Sequence, residues 1–211
     1  MVSTAESRRN IHPLNDVYWV YKDGDQPEGF NKSTTTRRLN EMKAELQKAF
    51  NAQINEELFS AYLYVSMVNY FEEQNLKGFA SWMQAQAVEE LTHAQKLIAY
   101  LHERGVAVKL EAIGKPEATW KSPLAAFEAA YKHECYISDC INKLYALATK
   151  SGDAAAAIFL SWFITEQVEE EASVDEVVQT LKLAQGAPGA LFMLNRELGA
   201  RSPGITIAPS A

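Results

Sequence analysis

From Thr36 to about Gly186 apolar residues recur at intervals of about three and a half, the spacing that lines one face of a helix packed in a bundle. Breaks in that rhythm divide the stretch into four long helices. The first is expected over about 36–75 and the second over about 76–105. The third opens at Ser122-Pro123, because serine caps a helix and proline suits its first turn, and it closes near Ser151-Gly152. Asp153 is placed to cap the fourth, which stops near Gly186, and a short fifth helix runs from about Pro188 to Leu198.

Connections set the topology. Tight turns join the first helix to the second and the third to the fourth, giving two antiparallel hairpins. Between the hairpins lies VAVKLEAIGKPEATWKSP, which has no helical period and is too long for a turn. That length makes sense if the segment travels the bundle so that the second and third helices run parallel. The expected fold is all-α: a four-helix bundle, up-down-down-up, with one long crossover and a short fifth helix. Residues 1–35 read as an N-terminal extension whose VYWVY cluster either docks or sits on a flexible arm; residues 36–199 form the bundle domain and 200–211 a loose tail.

The stripes are apolar except at mid-helix. They read Leu46, Phe50, Gln53, Glu57, Ala61, Tyr64, Val68, Phe71 in the first helix and Phe79, Met83, Gln86, Glu90, His93, Leu97, Tyr100 in the second. The third gives Phe127, Tyr131, Glu134, Ile137, Ile141, Leu144, Ala148, and the fourth Phe159, Phe163, Gln167, Glu170, Val174, Val177, Leu181. One inward glutamate is unremarkable. Four helices interrupted at the same level are different, because each unpaired buried carboxylate costs several kcal/mol. Protonated carboxyls or a core arginine network would be alternatives, but the stripes contain no Arg or Lys. A multivalent cation is the economical answer.

His93 alone would read as a hydrogen-bonded core histidine. It stands three residues after Glu90, however, and Glu-x-x-His on one helix face is the pattern of di-metal carboxylate bundles. The candidate ligands are therefore Glu57, Glu90, His93, Glu134, Gln167 and Glu170, an oxygen-rich set that suits iron or manganese. Glu90 is the best placed to bridge two ions. Tyr64, one heptad beyond Glu57, is either a core aromatic or a phenol that gives the metals a hydrogen bond or an electron.

Composition narrows the classes. A formal net charge of −7 over 211 residues argues against non-specific nucleic-acid binding and is compatible with handling cations. No apolar run approaches a membrane span, and the N-terminal stretch lacks the apolar core of a secretory signal, so a cytoplasmic protein is expected. Cys135 and Cys140 fall roughly 140° apart on one helix, which suits reduced thiols and no metal motif.

The runs NEELFSAYLY, VEELTHAQ, YKHE and FLSWFITEQVEEE resemble the haem-free ferritins of bacteria and archaea, with similarity from about Leu39 to Leu198. The resemblance implies a ferritin-like fold, a homo-oligomeric shell of 24 subunits, and a di-iron ferroxidase centre that oxidises Fe(II) with O2 or H2O2. It places one iron at Glu57, Glu90 and His93, a second at Glu90, Glu134, Gln167 and Glu170, and Tyr64 beside them. A third, outlying iron would fall on Glu89, Glu166 and Glu169, with Glu170 shared; otherwise those acids are solvated. Bacterioferritins repeat Glu-x-x-His on the fourth helix and follow the bridging glutamate with a haem-ligating Met. Here Gln167-x-x-Glu170 lacks the histidine and Leu91 follows Glu90, so no haem is expected.

Three functions compete. The first is iron storage with ferroxidase activity, the product deposited as ferric oxide in a shell cavity. The second is a di-iron or di-manganese oxidase or peroxidase of the same fold that stores nothing. The third is a non-catalytic shell whose acids merely bind cations.

Overall fold

The computed structural model describes residues 41–200, so the expectations for the extension, for residues 36–40 of the first helix and for the tail beyond Ala200 lie outside the described residues. Five helices follow in order: α1 (Ala44–Glu73), α2 (Lys77–Glu103), α3 (Pro123–Ser151), α4 (Ala154–Leu183) and α5 (Pro188–Leu198). No described helix is long and apolar enough to cross a membrane.

The ends form for local reasons. Ser122 accepts a hydrogen bond from the Ala125 amide at 3.1 Å and Asp153 from the Ala156 amide at 3.0 Å, so α3 and α4 both have side-chain caps. Gly152 ends α3 with φ 75°, a left-handed geometry that costs glycine nothing. Asp153 also takes two hydrogen bonds from Arg104, at 3.1 and 2.8 Å, which ties the end of α2 to the α3–α4 turn. The first helix starts later than the sequence pattern predicts. Residues 41–43 are not helical; Met42 is buried in the core and its carbonyl accepts from Gln47 Nε2 at 2.6 Å, so the chain turns inward before Ala44.

Ring and hydrogen-bond pairs give the directions. Ser60 meets His133 and Phe71 meets Phe127, so α1 and α3 are antiparallel. Gln86 meets Glu170 and His93 meets Phe163, so α2 and α4 are antiparallel too. Since α1 and α2 form a hairpin, α2 and α3 run parallel. Residues 104–122 make the crossover, as the sequence required.

The core has two apolar lobes. One gathers Tyr64, Met67, Phe71, Phe79, Trp82, Met83 and Phe127 with the later half of α4 and the end of α5. The other gathers Met42, Leu46, Phe50, Leu97, Ile137, Ile141, Leu160 and Phe163. Between the two lobes lies a polar layer.

Candidate metal centre

Among the described residues the buried polar and charged side chains are Gln53, Glu57, Ser60, Gln86, Glu90, His93, Glu134, Gln167 and Glu170. All six sequence-derived ligand candidates are in that set, each at most 5% exposed. No lysine or arginine is in it. The helical period therefore brought the acids inward from every helix without bringing a counter-ion.

Ligand atoms of Glu57, Glu90 and His93 all lie within 4.8 Å of one another. His93 Nδ1 stands 3.5 Å from a Glu90 oxygen and 4.0 Å from a Glu57 oxygen. These are not ion pairs. Burial, with a smaller push from the Lys96 charge, lowers the histidine pKa to about 4, so the ring is neutral near pH 7. Burial raises Glu57 to about 7, against hydrogen bonds that lower it, and drives Glu90 well above the usual carboxylate range. The next contribution at Glu90 is the charge of Glu134. Four atoms here have no hydrogen-bond partner although they are buried: Glu57 Oε2, both Glu90 oxygens and His93 Nδ1. Carboxyl oxygens and an imidazole nitrogen converging with no basic side chain among them form an environment that a cation satisfies.

The remaining candidates are held differently. The Tyr64 hydroxyl donates to Glu134, which joins α1 to α3 across the layer. Burial lifts Glu134 to about 8, the Tyr64 hydrogen bond pulls it down, and Glu170 pushes it up again. Gln167 Nε2 reaches the Glu134 backbone oxygen, Glu134 Oε2 and Ser138 Oγ, each at 3.4 Å. Gln86 donates to Glu170 at 2.6 Å and Gln53 to Glu57 Oε1 at 2.9 Å, each steadying one carboxylate oxygen.

The outlying acids sit at the rim. Glu166 is half-buried, with an oxygen 4.0 Å from His93 Nε2, and together with His93 and Glu170 it forms a second set of ligand atoms within 4.8 Å. Burial raises its pKa, followed by the charge of Glu169, while Lys96 opposes and Glu89 adds. Glu89 is half-buried and Glu169 exposed. Trp162 packs edge-on to His93 at 5.6 Å, and Lys96 Nζ lies 3.0 Å from the centre of its indole. Leu91, which follows Glu90, is exposed.

Sequence reasoning placed Gln53 and Gln86 in the stripes but gave them no role. Gln53 precedes its partner Glu57 by four residues, and that spacing was the available signal; Gln86 reaches across to Glu170 on α4, which no spacing along α2 encodes. Neither Ser138 nor Glu171 was singled out; Glu171 is half-buried and accepts the Ser138 hydroxyl.

A model of the Ferritin-like domain matches residues 47–184. A bacterial non-heme ferritin of Bacteroides fragilis is 38% identical over 156 residues, covering 74% of this chain and 97% of that one. One from Campylobacter jejuni is 37% identical, covering 74% and 93%. Among solved structures, an open-pore ferritin of the hyperthermophilic archaeon Archaeoglobus fulgidus superposes with a TM-score of 0.76 at 44% identity, covering 77% of this chain and 99% of that one. A form of that ferritin closed by site-directed mutagenesis gives 0.75 at 45%, covering 76% and 98%.

Proposed function

This chain belongs to the non-haem ferritins of the bacterial and archaeal type, and from that premise we propose that it is an iron-storage ferroxidase. The observation that carries the reading is the buried layer in which Glu57, Glu90 and His93 converge with unpartnered polar atoms and no lysine or arginine. Ferrous iron is the substrate. Glu57, Glu90 and His93 hold one ion; Glu90, Glu134, Gln167 and Glu170 hold the second, with Glu90 between them.

Binding displaces protons from the carboxyls, since a cation does the work that protonation does in the empty layer. Two ferrous ions side by side supply two electrons together. That is enough to reduce O2 to hydrogen peroxide, or hydrogen peroxide to water, with two protons taken up in either case. The Tyr64 hydroxyl holds Glu134 toward the second position. Glu89, Glu166 and Glu169, with Glu170 shared, form an outlying third site toward which oxidised iron moves. No haem takes part, because Leu91 offers no ligating atom after Glu90. In this reading the chains assemble into a 24-subunit shell in the cytoplasm, and ferric oxide collects in its cavity.

Stopped-flow absorbance after mixing with ferrous iron tests the reading. Glu90→Ala and His93→Ala should each slow oxidation by about a hundredfold or more, the scale of losing a metal-positioning group. Oxidation by both variants at the wild-type rate would show that the centre lies elsewhere. A small oligomer in size-exclusion chromatography would leave the oxidase and remove the storage.

A further inference from the structure

Gln167 is the one amide in the candidate ligand set, and it can hold a metal ion only through its oxygen. Something must keep the nitrogen turned away. In the structure Nε2 faces α3, where all its partners are acceptors: the Glu134 backbone oxygen, Glu134 Oε2 and Ser138 Oγ, each at 3.4 Å. The Ser138 hydroxyl spends its own proton on Glu171, so towards Gln167 it is an acceptor. Glu171 thereby fixes the polarity of a chain that runs from carboxylate to hydroxyl to amide. The Cys135 thiol stands beside the same carboxylate.

The chain starts at solvent. Ser138, Gln167 and Glu171 all line a groove of about 360 Å³ between α3 and α4, with Tyr131, Asn142 and Asp175 around them. Gln167 is 5% exposed at its floor, while Glu171 is half-buried. When Glu134 Oε2 turns to a metal ion, Ser138 and one backbone oxygen are the acceptors left to the Gln167 amide.

We propose that Ser138 and Glu171 are positioning residues for Gln167: they hold its nitrogen toward α3 and so present its oxygen to the second metal position. The inference rests on the functional reading above and names which groups outside the ligand set tune its second site. It predicts an asymmetric effect, since the Glu171–Ser138–Gln167 hydrogen bonds do not reach Glu57 or His93.

The test is anaerobic ferrous-iron binding to the assembled full-length protein, followed by isothermal titration calorimetry. Ser138→Ala should weaken the second ion about tenfold, the scale of one hydrogen bond that holds a ligand, and leave the first within about twofold. Ser138→Thr keeps the hydroxyl and should restore the second site to within about threefold. Glu171→Ala, which leaves the hydroxyl free to turn toward Gln167, should weaken the second site in the same direction. Wild-type affinity in Ser138→Ala would overturn the inference, as would equal weakening of both ions or failure of threonine to restore the second. If the wild-type chain itself binds no pair of ferrous ions, the functional reading falls and this inference with it. A bound pair that ignores Ser138 refutes the inference alone.

Discussion

Glu57 titrates near 7 and Glu134 near 8 because burial opposes their charge, whereas His93 is held near 4 for the same reason with the opposite sign. Both carboxyls bind protons more tightly folded than unfolded. Their contribution to stability is complete below the ordinary value of 4.5 and fades as pH rises through 7 and 8. His93 contributes above its ordinary value of 6.5 and loses that contribution as pH falls toward 4, so the two effects oppose each other in between. Above pH 6.5 only the carboxyls still change. The metal-free protein should therefore melt at progressively lower temperature between pH 6.5 and 8, and a bound divalent cation should flatten that slope. Thermal melts in chelator and in excess Zn(II) make the comparison; parallel slopes would contradict it. Tyr64→Phe removes the hydrogen bond that lowers the Glu134 pKa, so the second metal site should weaken about three- to tenfold and its pH dependence move upward. A metal titration repeated across pH reads both effects.

Each helix carries apolar positions on both sides of its ligands, so packing of the two lobes sets the height of the polar layer. Phe127 shows how: its ring meets Phe71, Phe79 and Trp82 at 5.8, 5.8 and 5.1 Å, joining α1, α2 and α3 within one lobe. Phe127→Ala should cost about 3–5 kcal/mol in chemical denaturation, the usual loss for a fully buried aromatic ring. α5 is also held by one close approach at Gly78. A methyl group on Gly78 would land on the Asn195 carbonyl oxygen, and the Asn195 side chain accepts from the Gly78 and Phe79 amides at 2.9 and 3.4 Å. Gly78→Ala should detach α5 while leaving the four long helices formed, seen as fast hydrogen exchange confined to residues 188–198.

The elements were legible because helical period and burial coincide. The stripes slipped by one residue only where the strict interval drifts against the helix: Met67, Ala130 and Leu160 are buried in place of Val68, Tyr131 and Phe159, which are half-buried. The six inward ligand candidates were legible for the same reason. Ser138 and Glu171 were not, since their meeting depends on the distance between α3 and α4, a tertiary quantity that no period along one helix encodes. The late start of α1 also escaped, because the inward turn at Met42 is made by a tertiary contact and a Gln47 side chain.

At the scale of the whole molecule, the two lobes act as walls and the polar layer as the working volume between them. The walls keep the acids dry, which makes them weak acids, and a weak buried acid exchanges its proton for a metal ion at neutral pH. Because no lysine or arginine is buried among the described residues, we propose that cations, not a salt-bridge network, complete the layer. The measurement that tests this most directly is an iron anomalous-difference map from crystals soaked anaerobically in ferrous iron. The account predicts two strong peaks inside each chain, one among Glu57, Glu90 and His93 and one toward Glu134, Gln167 and Glu170, with Glu90 contacting both. Iron found only at the rim acids, with the buried layer empty, would contradict it.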